Sequence, residues 1–484
     1  RQRQMCIRDS LNARPEEESK VALLLGYGFF MGIFLATFQL SAETLLITRL
    51  GEAFISRGIF AAGVMGVIST AIYAYLQHRL PYGLFSIINH GFIFLITTSF
   101  YVMFRVLPEQ QMPILVFAQF AMLGPTVAIY LLGFWGIFGR LFDLRQSKRI
   151  IGGIDTGQLT AAILTFFTIG VTIYNLPQTY DLLIISSLAV IGTTVFLIII
   201  LAKFQVGKVS QEYEEQESVP FKDMISNRYV ILLATFISLS IFAYLLIENS
   251  YLTVLSEQYP ASEEASLTTF LGWFNGSILV LSFIFQTFFN DRIIAQYGLR
   301  VSLTILPVIL GVLTLVVIVI GSSFGYTVDS PQFFLFFLFV AISKLFVTFL
   351  RDALENPAFK LYFMTLQNRI RFDIQTKVEG FVVEFAKTIT GGVLLLLGVL
   401  TFFQLIHYSI IVLFVIAAWI YITGKLYNEY RNRIRIKLES QDISMEEMDV
   451  VQEAVVNVVK SNLLNPRPAT AIFSFKLFEK IKPN

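Results

Sequence analysis

YDLLIISSLAVIGTTVFLIIILA, residues 180–202, carries a single charged side chain, Asp181, at its start. Beyond it come Lys203 and an acidic run, Gln211-Glu212-Tyr213-Glu214-Glu215-Gln216-Glu217. An α-helix needs about 20 apolar residues to cross the hydrocarbon core of a bilayer. The first stretch is therefore long enough to span, and the second is excluded from hydrocarbon. Outward from this boundary the same kind of stretch recurs. Toward the N-terminus it appears at 21–42, 54–76, 84–104, 112–138 and 150–174; toward the C-terminus at 229–250, 265–289, 299–321, 332–350, 376–400 and 403–424. The pattern predicts an all-α polytopic membrane protein. Twelve transmembrane helices form two six-helix bundles, residues 11–203 and 229–424, joined by an acidic linker at 204–228.

Composition excludes the main alternatives. Charged residues are 14% of the chain and hydrophobic residues 55%, with a mean hydropathy of +0.69. Soluble domains have roughly a quarter of their residues charged, and a water-soluble fold has no means of wetting this much apolar surface. The one cysteine, Cys6, allows neither an internal disulfide nor a thiolate cluster. His78, His90 and His407 lack metal-ligand spacing and are read as structural or interfacial. No cofactor or metal is expected. The expected partners are the lipid bilayer, a small solute and a protein that binds the tail, with no nucleic acid. No phosphate-binding Gly-x-x-x-x-Gly-Lys loop and no nucleophile elbow occur, so neither a nucleotide-driven pump nor an intramembrane enzyme is indicated.

The placement of Lys and Arg orients the chain. With the N-terminus inside, one face collects Arg79, Arg140, Arg145, Lys148, Arg149, Lys203, Lys208, Lys222, Arg228, Arg292, Arg300, Arg351, Lys360, Arg369, Arg371 and Lys377, then the tail residues Lys425, Arg431, Arg433, Arg435 and Lys437. The other face has Arg49, Arg57 and Arg105. Cytoplasmic loops hold Lys and Arg in excess, so both termini are expected in the cytoplasm of a bacterial cell, with the spans in its inner membrane.

The halves echo each other. Span 1 carries Gln39 and Glu43 near its outer end, and span 7 carries Tyr244 and Glu248. Spans 5 and 11 both follow basic loops and hold acids, Asp155 in one and Glu379 with Glu384 in the other. Parallel six-helix repeats, with solute bound between them near mid-membrane, characterise the major facilitator architecture.

A charge at the bilayer centre costs a few kcal/mol or more, so each intramembrane charge needs a cavity, a partner or a polar path. On span 11, Lys377, Gly380, Glu384, Lys387 and Gly391 recur at steps of three and four. Two arrangements satisfy that face: a cavity lining, or a self-paired stripe packed against another helix. Lys344 on span 10 and Asp155, beside Gly153 and Gly157 on span 5, pose the same choice. The candidate solute cavity is thus Glu384, Lys387, Lys344, Asp155, Glu379, Glu43 and Glu248. A candidate cytoplasmic gate of inter-helix ion pairs comprises Arg140, Asp143, Arg145, Arg149, Asp291, Arg292 and Asp352.

Three loops resemble a known family. They are Gly139-Arg140-Leu141-Phe142-Asp143-Leu144-Arg145-Gln146-Ser147-Lys148-Arg149, then Asn290-Asp291-Arg292 with Tyr297-Gly298-Leu299-Arg300, and Arg351-Asp352-Ala353-Leu354-Glu355-Asn356-Pro357 continuing to Lys377-Val378-Glu379-Gly380. They are similar to the bacterial, major-facilitator-like relatives of the ATP/ADP translocase (nucleotide transporter) family, over about residues 20–435. The resemblance implies exchange or uptake of nucleotides by alternating access, and Asp155 resembles the acid of that family's fifth helix. Span 2, apolar from 58 to 75, has no match for a basic residue found early in the family's N-terminal half.

The ends stand apart. Residues 1–10 lack an initiator Met, resemble adapter read-through and are set aside. Residues 425–484 are expected to be a helical cytoplasmic tail. Its apolar stripes at 445–462 and 469–481, split by Asn465-Pro466-Arg467-Pro468, resemble the start of a HEAT-like repeat that continues beyond the chain. Two functions fit: a secondary transporter for nucleotides or related organic anions, or a transporter-fold sensor or scaffold signalling through the tail.

Overall fold

The computed structural model describes residues 17–142, 144–204, 219–400 and 402–439. Regular structure among them is helical throughout. Eleven continuous stretches are long and apolar enough to cross a membrane, and one of these, Ala261–Phe324, holds two spans. It is broken at Gly298, whose φ of +77° suits a residue without a Cβ. The expected start of span 9 at 299 falls on this break. The spans are therefore 1 (Glu18–Leu45), 2 (Ile55–Arg79), 3 (Tyr82–Val106), 4 (Met112–Leu141), 5 (Leu144–Thr172), 6 (Leu182–Lys203), 7 (Arg228–Gln258), 8 (Glu264–Phe285), 9 (Asp291–Phe324), 10 (Phe333–Leu350), 11 (Val383–Val399) and 12 (Leu405–Glu439).

Local chemistry sets several boundaries. Gly51, at φ +70°, ends the π-helical turn that continues span 1 through Leu46–Leu50. Asn227 caps span 7 by accepting a hydrogen bond from the Tyr229 amide at 3.1 Å. Leu80 and Leu107, both extended, turn the chain around at the ends of spans 2 and 3. The acidic run at 211–217 and the proposed repeat at 440–484 lie outside the described residues.

Within lipid, helices gain little hydrophobic energy from meeting each other, so close packing through small residues matters more. Span 1 lies against span 5 in this way. A Cβ at Gly157 would meet the Leu25 carbonyl at 2.9 Å, and one at Gly28 would meet the Gln158 amide at 3.3 Å. Hydroxyl and ring networks then fix the first bundle. Tyr27 donates to His90 Nε2 at 2.6 Å, and His90 Nδ1 faces the Ser86 carbonyl at 2.8 Å. Because the carbonyl only accepts, His90 carries a proton on Nδ1. In the second bundle Phe236 stacks on Phe359 at 5.1 Å, with Trp419 of span 12 fully buried beside it.

Two helix pairs join the bundles, span 2 with span 11 and span 5 with span 8. A Cβ on Gly63 would sit 2.7 Å from the Thr388 nitrogen, one on Gly272 would sit 2.8 Å from the Phe166 carbonyl, and one on Gly170 would meet Trp273 at 3.0 Å. These approaches all fall in the half of the molecule away from the described termini. In the other half spans 2 and 11 leave Ile72, Tyr75, Phe381 and Phe385 exposed. The two bundles meet at the far end.

The seam sets a steric test. Gly63→Leu forces its side chain into the Thr388 backbone, an overpacking that costs about 1–3 kcal/mol. It is expected to lower the thermal unfolding midpoint of detergent-purified protein. Gly91→Ala, facing open space, leaves that midpoint unchanged or slightly raised. Equal midpoints for Gly63→Leu and the parent chain would dismiss the seam as drawn.

Candidate functional site

Span 1 presents Gln39 and Glu43 four residues apart, hence on one face, and Gln39 Nε2 donates to Glu43 Oε1 at 2.8 Å. Span 7 presents Tyr244 and Glu248 with the same spacing. Lys344 of span 10 completes the group. Its ammonium donates to Glu248 Oε2 and to the Tyr244 hydroxyl, the latter at 3.3 Å, and lies 4.8 Å from the Tyr244 ring centre. The guanidinium of Arg351, two turns further along the chain, lies 4.9 Å from the same ring. Glu43 faces Glu248 and Lys344 from the other bundle, with Asn275 of span 8 beside it.

These groups are withdrawn from water: Glu43, Glu248 and Lys344 are 7%, 9% and 6% exposed. Burying an ion is costly unless a partner compensates it. Here one ammonium serves two carboxylates drawn from opposite bundles, so neutralising both acids needs a further positive charge. The repeat is asymmetric in this respect. Span 10 supplies Lys344, whereas span 4 supplies neutral Gln119, whose Nε2 donates to Ser41 Oγ on span 1 at 3.0 Å.

A second set of charges lies nearer the termini. Asp155 of span 5 is within electrostatic reach of Lys360 and Asp352 on the opposite bundle. Glu379 shares Lys360 and accepts from Gln375 Nε2 at 3.0 Å. Asp352 is exposed and accepts from Asn356 Nδ2 at 3.4 Å. Asp155 and Glu379 thus share one lysine, and Asp352, beside Asp155, faces Arg351 and Lys344.

Glu384 and Lys387 pair with each other at 2.7 Å. Their place is the span 2–11 seam, where a Cβ on Gly66 would meet Glu384 Cδ at 2.9 Å. No hydrogen bond or ion pair among the described residues links them to the Glu43 group. The stripe drawn through Lys377 changes course, because a π-helical segment over Lys377–Val382 shifts the register. Lys377 instead bonds Asp373 Oδ2 at 2.6 Å and the Val219 carbonyl at 2.7 Å, anchoring the end of the linker.

Of the candidate gate residues, the described side chains of Arg140, Asp291 and Asp352 make local contacts. Arg140 donates to the Gly136 carbonyl at 3.0 Å and stacks 3.6 Å from the Tyr82 ring centre. Asp291 and Arg292 are exposed, with Asn290 Nδ2 3.5 Å from Asp291 Oδ1. Arg145 and Arg149 lie in the first turns of span 5, but their side chains, like Asp143, fall outside the described residues. Among the described residues none of the gate candidates forms an ion pair across the mouth.

The far end carries a contact between bundles that sequence reasoning missed. Arg49 Nη2 pairs with Glu264 Oε2 at 3.1 Å, and Thr268 donates to Thr44 Oγ1 at 3.2 Å, both joining span 1 and its extension to span 8. The one available signal was that Arg49 belongs to the sparse basic set on that face. Asn275 had no signal at all.

No protein-family model matches the chain, and no curated protein matches it. Solved structures do. A mutant of the nucleoside transporter NupG superposes with a TM-score of 0.58 at 13% identity, covering 84% of this chain and all of the other. The E. coli xylose transporter XylE in an inward-open conformation gives 0.56 at 12% identity, covering 84% and 95%. A bacterial homologue of the iron transporter ferroportin, in an outward-facing state with soaked iron, gives 0.54 at 13%, covering 84% and 98%. The chain therefore has the fold of the major facilitator transporters, two six-helix bundles with a charged site between them.

The far-end contact sets its own test. Arg49→Glu is expected to raise, several-fold, labelling of an introduced Thr44→Cys by a membrane-impermeant thiol reagent. Adding Glu264→Arg restores the parent rate. Labelling that ignores both changes would show that the pair does not hold this end shut.

Proposed function

We propose that the chain is a secondary active transporter that works by alternating access and exchanges or imports nucleotides (ATP/ADP-type) or related organic anions. The observation that carries the proposal is the buried Glu43–Glu248–Lys344 group, built from both bundles where they meet. Membrane-buried ionisable groups mark solute or ion pathways more often than not, and the major facilitator fold places its solute site between the repeats. Lys344 supplies a cation, Arg351 a second, and Tyr244 an aromatic face between them. That set suits an anionic solute with a planar group. The loop resemblance to nucleotide transporters supports the same substrate class.

In this reading the conformer is closed at the far end by Arg49, Glu264 and the glycine seam, and a solute enters from the side of the termini. The basic loops there support a cytoplasmic placement of both termini in a bacterial inner membrane. A solute anion that takes Lys344 leaves Glu248 without its cation, and a proton or an exchanging solute then balances the site. Asp155, Lys360, Asp352 and Glu379 line the route in. Closure of that mouth brings the loops of Arg140, Asp143, Arg145 and Arg149 toward Asp291 and Arg292, and their ion pairs act as the gate. Glu384 and Lys387 hold the hinge seam between spans 2 and 11.

Proteoliposomes test this directly. Loaded with one nucleotide, they are expected to take up labelled ATP, ADP or a related anion by counterflow. Lys344→Gln and Glu248→Gln each cut initial flux at least tenfold, roughly the loss of one charge-assisted contact of 1.5–3 kcal/mol. Glu43→Gln removes any response to an imposed pH gradient. Glu384→Ala lowers flux less than Lys344→Gln. A screen of nucleotides, nucleosides and organic anions that finds binding but no counterflow would point to a sensor instead.

A further inference from the structure

The end of the second bundle on the termini side carries a cluster of exposed cations that the solute site does not use. Spans 9 and 12 pack along their length, and span 12 continues as one helix to Glu439. Where they emerge, two arginines flank one ring. Arg300 of span 9 lies 5.9 Å from the Tyr427 centre and Arg431 of span 12 lies 6.0 Å from it. Lys425, one turn nearer the membrane, lies 4.4 Å from the Tyr421 ring. All three cations are exposed. The neighbouring acid is already engaged, since Glu429 turns to Arg433 at 4.0 Å, and Arg433 is drawn inward to Tyr229 and the Asn227 side chain.

The surface continuing from these cations toward mid-membrane is apolar on both helices. Val301, Val308 and Val312 are exposed on span 9, and Ile410, Phe414 and Tyr421 on span 12. A cationic rim opening onto a continuous apolar track matches one molecule in outline: a headgroup with negative charge and the acyl chains below it. Cytoplasmic-side basic pockets between membrane helices bind anionic headgroups through this combination, and Tyr belongs at such an interface.

We propose that the exposed face along spans 9 and 12 is a binding site for an anionic phospholipid. Its phosphodiester sits between Arg300 and Arg431 over Tyr427, with Lys425 meeting the second headgroup oxygens or the glycerol region. Arginine favours this role because its planar fork matches phosphate oxygens. The site stands on the second bundle alone, so a bound lipid travels with that bundle and stiffens the packing of span 9 on span 12. The inference needs the membrane-spanning fold and not the solute reading, so its test uses no solute.

Detergent-purified full chain is mixed with bicelles of phosphatidylglycerol or of phosphatidylcholine, and lipid retained after gel filtration is counted by mass spectrometry. Phosphatidylglycerol is expected to be retained at least tenfold over phosphatidylcholine. Arg300→Gln with Arg431→Gln abolishes that preference. Arg79→Gln with Lys203→Gln, which removes equal charge from the same end of the first bundle, preserves it. Inorganic phosphate at equal concentration leaves retention unchanged, which separates a lipid from a free anion. Three results overturn the proposal: the Arg300/Arg431 variant keeping the preference, the first-bundle variant losing it equally, or phosphate displacing the lipid. Should the double variant fail to fold, the single Arg431→Gln, at an exposed position, carries the same comparison with at least a threefold loss expected.

Discussion

The ion pair between Glu248 and Lys344 is the constraint around which the rest of the molecule is arranged. A lysine ammonium placed inside a membrane protein is tolerated only where an acid and further polar groups compensate it. Span 10 can carry Lys344 in its middle because span 7 brings Glu248 and Tyr244 to it. That requirement fixes the rotation of both helices about their axes. It also draws span 1 close, since Glu43 faces the pair from the other bundle. Glu248 and Lys344 compensate each other within the second bundle, and Glu43 brings a further buried acid to them from the first, which leaves the site short of one positive charge.

Around this polar centre the joints are made by small residues. Gly63 against Thr388, Gly272 against Phe166 and Gly170 against Trp273 bring helix backbones close in one half of the molecule. Close backbone approach of this kind lets the helix pairs pack tightly, and the Phe167 and Trp273 rings, 5.0 Å apart, fill the joint between spans 5 and 8. The polar contacts that accompany the seam, Arg49 with Glu264 and Thr44 with Thr268, are few and lie at the far end.

Much of the fold was legible in the chain. The length of each apolar stretch and the polar breaks between them fix the spans. Even the start of span 9 at 299 follows from Gly298, where the helix turns. The echo of Glu43 and Glu248 at matching places in the two halves was legible too, because i,i+4 spacing survives folding. The partner of Glu248 was not: Lys344 lies 96 residues away and nothing local in span 10 names its neighbour. Span 11 shows the converse. Its regular spacing suggested one continuous charged face, and an inserted π-helical turn broke it, since one extra residue per turn rotates everything beyond it.

The sequence by itself determined that this chain crosses a bilayer repeatedly, where it crosses, and which loops carry its positive charge. Those properties depend on transfer free energies summed over contiguous residues, and a sum over neighbours needs no knowledge of the fold. Only the tertiary structure decided which charges meet and which merely lie on a seam. It joined Glu43, Glu248 and Lys344 from two bundles, and set Glu384, paired with Lys387, against Gly66. A hydrogen-bonded ion pair needs its heavy atoms within about 3–4 Å, so it depends on distances that only packing supplies.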